Sequence, residues 1–134
     1  MTTLHNTIKI NSSPGKIWEV LGNLTACNKW IPGVTDAKVE GMLRTCSTAD
    51  GNIIKERISN YSKKEYTYCY EHLQSPMPVK NSRGIFKIKD DENSTLVIWD
   101  AEFEVLDQSK KEEISEMIDG YYKQTLATLK KLFE

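Results

Sequence analysis

No stretch of this sequence approaches the roughly 20 consecutive apolar residues that cross a bilayer, so integral membrane association through a helix is not expected. Neither sign of charge is in excess: 18 Lys and Arg stand against 19 Asp and Glu, a net charge of -1. No basic face is implied, and nucleic acid is not an expected partner. Histidine is scarce. His5 and His72 are too few imidazoles for a catalytic zinc site without carboxylate help, and no His/Cys/Asp/Glu cluster has metal-ligand spacing. Cys27, Cys46 and Cys69 fit no metal or redox motif and read as reduced packing residues. Gly33, Gly41 and Gly51 form no phosphate loop, and neither G-x-S-x-G nor a Cys–His arrangement stands out. The start, Met1-Thr2-Thr3-Leu4-His5, lacks the basic-then-apolar layout of a secretion signal. Together these absences lead us to expect a cytoplasmic protein without cofactor or metal, a monomer or weak dimer. No Pro/Gly/Ser-rich linker interrupts the 134 residues, so residues 1–134 are expected to form one domain.

What is present is an informative order of elements. Leu4 to Ile10 alternates weakly and ends at Asn11-Ser12-Ser13-Pro14, where Ser12 or Ser13 can cap a helix and Pro14 suits its first turn. Ile17, Leu21 and Leu24 then recur at helical spacing, widened by Trp18 and Val20. A second short helix is predicted over Ala26 to Trp30, ended by Ile31-Pro32-Gly33. Strand texture follows over Thr35–Met42, Leu43–Thr48, Ile53–Tyr61, Glu65–Leu73, Val79–Lys89 and Thr95–Leu106. The turns between them are short and polar, notably Asp50-Gly51, which makes the sheet an antiparallel meander. Lys110 to Phe133 closes the chain as a long amphipathic helix, acidic in its first half and basic in its second. Its apolar arc covers about half the circumference, wider than a two-helix seam requires. A curved sheet gripping such a helix leaves a hollow between them.

Several motifs stand in sequence: Ser13-Pro14-x-x-Ile17-Trp18, Trp30-x-Pro32-Gly33-Val34, Gly41-x-x-Arg44, Ile54-x-Glu56-Arg57-Ile58, Tyr66-x-Tyr68 and Val97-x-Trp99. In this order the chain resembles the polyketide cyclase/dehydrase and lipid-transport family of the START-like superfamily, from about Thr7 to Leu132. The resemblance implies an α+β helix-grip fold, as in the birch-pollen allergen. In that fold a seven-stranded antiparallel sheet wraps a C-terminal helix, two short helices close one end, and a cavity lies inside. Such a fold hosts many functions, so activity must be argued from the site.

Alternation nominates the inward residues. Val97, Trp99, Ala101 and Phe103 share one face of the last strand; Tyr66, Tyr68, Tyr70 and His72 share one face of an earlier one. Tyrosines supply apolar walls with hydroxyl tips, which suits an aromatic or lipid-like ligand, though the same side chains also fill ordinary cores. From the helix, Met117 and Tyr121 complete the candidate lining. Glu56 shares a face with Ile54 and Ile58, so an inward carboxylate is expected there, either paired or with a raised pKa. Two roles stay open for it: an anchor bridged to Arg44, or a proton-transfer group. The loop Gln74–Pro78 and the segment Trp30–Gly33 are candidate gates.

The function that follows is binding or carrying a small hydrophobic molecule. The alternative is a cyclase or dehydrase in which Glu56 moves protons and Tyr68 or Arg44 stabilises an enolate. An interaction module is a third possibility, one that requires a large exposed apolar patch.

Overall fold

A computed structural model describes residues 1–134. The seven strands are β1 (Thr2–Ile10), β2 (Val34–Glu40), β3 (Leu43–Thr48), β4 (Ile53–Ser62), β5 (Thr67–Gln74), β6 (Val79–Asp91) and β7 (Ser94–Val105). They form one antiparallel sheet in the order β1-β7-β6-β5-β4-β3-β2. The strands β2 to β7 follow one another as hairpins, while β1 and β2, consecutive in the chain, lie at opposite edges. The segment joining them must therefore cross the width of the sheet. It does so with α1 (Pro14–Leu21) and a single 3-10 turn at Cys27–Lys29.

That turn lies within the short helix expected over Ala26–Trp30 and is shorter than expected. Only three residues wind before Pro32, which forbids a continuing backbone donor, and Gly33 at φ +86° turns the chain into β2. One α-helix and one short 3-10 helix close this end. At the start of α1, Pro14 occupies the first turn as expected, although the Ser13 side chain makes no capping hydrogen bond.

The last helix, α2 (Lys111–Lys131), lies in the concave face of the sheet and is anchored to β1 by Asn6 Nδ2, which donates to Asp119 Oδ1 at 3.0 Å. Glu112 and Glu113 sit in its first turn, Lys130 and Lys131 in its last, matching the helix dipole. Its buried face is Ile114, Ile118, Tyr122, Thr125, Leu126 and Leu129. Gly120 lies exposed on the opposite side, and the helix runs through it without interruption.

The core under the sheet is continuous from Ile10 and α1 to Leu129 and is rich in aromatics. Trp18 leans on Tyr61, Tyr66 and Tyr68, and Phe86 sits between Tyr68, Tyr70 and Trp99. A small satellite of Cys27, Val34, Ala37 and Cys46 packs the turn against the β2–β3 edge. No helix is long and apolar enough to cross a membrane.

Candidate ligand-binding site

Strand register builds the site. Arg44 on β3 pairs with Glu56 on β4, which pairs with His72 on β5, so three polar side chains stand in one cross-strand row. Alternation turns the row inward, and Arg44 and Glu56 are only 2% and 7% exposed. Arg44 Nε donates to Glu56 Oε1 at 2.9 Å, and Nη1 donates to Cys27 Sγ at 3.0 Å. The guanidinium carbon also lies 5.7 Å from the Tyr68 ring centre, a cation–π distance. His72 Nε2 approaches Glu56 Oε2 at 3.5 Å, and its Nδ1 is 2.8 Å from Ser82 Oγ. Ser82 faces inward in phase with Phe86 and Ile88 on β6, just past a bulge between Lys80 and Arg83.

Burial and neighbours set the protonation of this row. Burial is the larger influence on His72 and lowers its pKa despite Glu56 nearby, so the imidazole is neutral near pH 7. A hydrogen bond from Cys46, with help from Arg44, draws the Cys27 thiol down against the effect of burial. The same contact and burial push the Cys46 thiol up.

Next to the row the sheet and α2 separate around a cavity of about 410 Å3. Its walls are Ile54, Tyr70, Phe86 and Trp99 from the sheet and Tyr121 and Tyr122 from α2. Ile31–Val34 and Ser75–Met77, from the two irregular segments, also line it. Trp99 stacks on Tyr122 with ring centres 3.8 Å apart, and its Nε1 donates to the Tyr70 hydroxyl at 2.9 Å. Tyr70 lies over Gly84, its cross-strand partner, where an added Cβ would fall 2.4 Å from the hydroxyl oxygen. Gly84 therefore makes room for one wall of the cavity. Tyr121 donates to the Pro32 carbonyl at 2.7 Å, tying the helix to the segment before β2.

Five nominated residues meet at this cavity: Arg44, Glu56, Tyr70, Trp99 and Tyr121. The other five lie elsewhere. Tyr66 sits in the β4–β5 turn at φ +54°, outside the strand alternation, and packs on Trp18. Tyr68 is buried beneath Arg44, and Val97 and Phe103 are sealed in the core. Met117 is 55% exposed, because the buried arc of α2 runs through Ile114, Ile118 and Tyr122 and leaves it outside.

A family model described as "Polyketide cyclase / dehydrase and lipid transport" matches residues 1–134. The chain belongs to this family. No curated protein matches it. Among solved structures, it is similar to the protein XoxI from Bacillus cereus at 28% identity and a TM-score of 0.90, covering 99% of this chain and 96% of that one. A START superfamily protein from Mycobacterium smegmatis aligns at 12% identity and a TM-score of 0.78, over 98% and 96% of the two chains. The di-domain ARO/CYC BexL from the BE-7585A biosynthetic pathway aligns at 13% identity and a TM-score of 0.85, over 98% of this chain and 46% of that one. At these last two identities the likeness shows the shared START-like fold alone.

The wall residues Ile54 and Phe86 escaped the sequence reading as site residues, and so did Cys46, His72, Tyr122 and Cys27. Cys46 shares a strand face with Arg44, so alternation carried a signal for it. His72 was placed on the Tyr70 face without a role. Tyr122 lay in the apolar arc of the helix, but only the rotation of α2 distinguishes it from Met117. Cys27 had no local signal, since a 3-10 turn brings it to Arg44 across 17 positions.

Proposed function

We propose that this protein binds and carries a small hydrophobic molecule, aromatic or lipid-like, between its sheet and α2. One observation carries the reading: a cavity of about 410 Å3, with eleven hydrophobic residues among its 20 lining residues and a buried polar row at one end. That volume lies in the usual range for small-molecule sites, and the mixture of apolar walls and few polar groups is typical of them. Affinity comes from apolar burial at about 25 cal/mol per Å2, and the polar row orients the ligand. The pairing of Glu56 with Arg44 supports an anchoring role for this carboxylate.

The 3.5 Å approach of Glu56 to His72 beside the cavity favours a second reading, a cyclase or dehydrase that moves protons at carbons next to carbonyls. Here Glu56 exchanges the proton and Arg44 steadies the enolate. Tyr68 lies under Arg44, so it acts on a substrate only through the guanidinium.

The test is native mass spectrometry of protein purified without detergent, followed by denaturation to release any bound mass. A discrete adduct of small-molecule mass is expected. Bare protein that also takes up no added N-phenyl-1-naphthylamine, a neutral aromatic probe, would overturn the binding reading.

A further inference from the structure

The polar end of the cavity has a sign. The cavity lining holds one cation, Arg44, against two carboxylates: Glu56, buried and paired with it, and Asp50, exposed in the β3–β4 turn. Arg44 is already engaged, with Nε on Glu56 at 2.9 Å and Nη1 on Cys27 at 3.0 Å. Burial keeps His72 neutral, so it adds no positive charge near pH 7. Glu56 is engaged on one side only. Oε1 accepts from Arg44, whereas Oε2 accepts no hydrogen bond and faces only His72 Nε2 at 3.5 Å.

An incoming carboxylate therefore meets a buried carboxylate beside a guanidinium whose charge that carboxylate already balances, a like-charge juxtaposition that excludes partners. An incoming hydroxyl finds an open acceptor on an anion, and hydrogen bonds to charged groups are the strong ones. Beside that acceptor, the stacked rings of Trp99 and Tyr122 and the face of Phe86 offer flat apolar contact.

We infer that the site selects neutral aromatic hydroxyl compounds over aromatic carboxylates, with Glu56 as the residue that sets the preference. The inference rests on the binding reading above and deepens it by naming the ligand class. It also bears on free fatty acids, whose headgroup carries the excluded charge.

The comparison that tests it is 1-naphthol against 1-naphthoate, which share one aromatic body, titrated calorimetrically near neutral pH. The expected result is tighter binding of 1-naphthol by about tenfold or more. Glu56→Gln removes the anion and frees Arg44, so the ratio should narrow or invert. If that variant does not fold, the wild-type ratio decides alone. Equal or tighter binding of 1-naphthoate overturns the inference. So does failure of both compounds while N-phenyl-1-naphthylamine still binds, and the binding reading then survives. Failure of all three probes overturns both.

Discussion

The inner face of the sheet has two halves with the same kind of residue and opposite outcomes. Under α1, Trp18 closes on Tyr61, Tyr66 and Tyr68, and the space is filled. Two residues further along β5, Tyr70 and His72 border a cavity of about 410 Å3. The strand, the face and the residue type are shared; what differs is the covering element. The filled half is covered by the indole of α1. The open half is covered by a three-residue turn, a Pro-rich loop and the middle of α2, none of which sends a large side chain inward far enough to fill it. A cavity here is thus a property of the lid and not of the wall.

Substitutions of matched aromatics are the strongest way to break this comparison. Trp18→Ala should lower stability by about 3–5 kcal/mol, the usual cost of emptying a packed site, while leaving probe affinity near wild type. Trp99→Ala should abolish binding of N-phenyl-1-naphthylamine in a folded but less stable protein. Denaturant melts and fluorescence titrations check both, and equal loss of affinity in the two variants would erase the distinction between the halves.

Next comes the ion pair that marks the polar end. Arg44→Ala strands Glu56 in a buried position and should cost about 3–5 kcal/mol, whereas replacing both Arg44 and Glu56 by Met should cost much less. The melts would speak against pairing as the reason for burial if the double variant were the weaker one.

A smaller effect is expected at the boundary of the halves. Gly84→Ala drives a methyl group into the Tyr70 hydroxyl, so a loss of about 1–3 kcal/mol is expected. The displaced ring should also enter the cavity and weaken probe binding.

The smallest effect is a dependence on pH. The His72 pKa is depressed by burial below its ordinary 6.5, so on acidification the unfolded chain takes the proton first. Stability present above about pH 6.5 is therefore lost as pH falls toward the folded value. His72→Gln should remove that component, and parallel denaturant midpoints for the two proteins would argue against it.

Much of this comparison was legible beforehand. Period-two alternation placed Glu56, Tyr70 and Trp99 on the inner face, and short polar turns made the sheet a meander. The irregular segments beside the cavity were legible from Pro32-Gly33 and from Ser75-Pro76-Met77, because prolines interrupt strands. Alternation reports a face, however, and says nothing of what lies over it, so Tyr68 and Tyr70 looked equivalent. Tyr66 was misplaced because a left-handed backbone in a turn breaks the period of two. Met117 was misplaced because a broad apolar arc leaves the rotation of α2 undetermined by some tens of degrees. The Arg44–Cys27 contact joins a strand to an irregular turn, where no periodicity operates.

The three tryptophans allow one direct measurement of the central claim. Trp99 lines the cavity, while Trp18 belongs to the filled half and Trp30 is buried against Phe86. In an NMR titration with N-phenyl-1-naphthylamine, the Trp99 indole N–H should shift strongly and that of Trp18 should stay in place. A shift centred on Trp18, or saturation with no change at Trp99, would contradict the account.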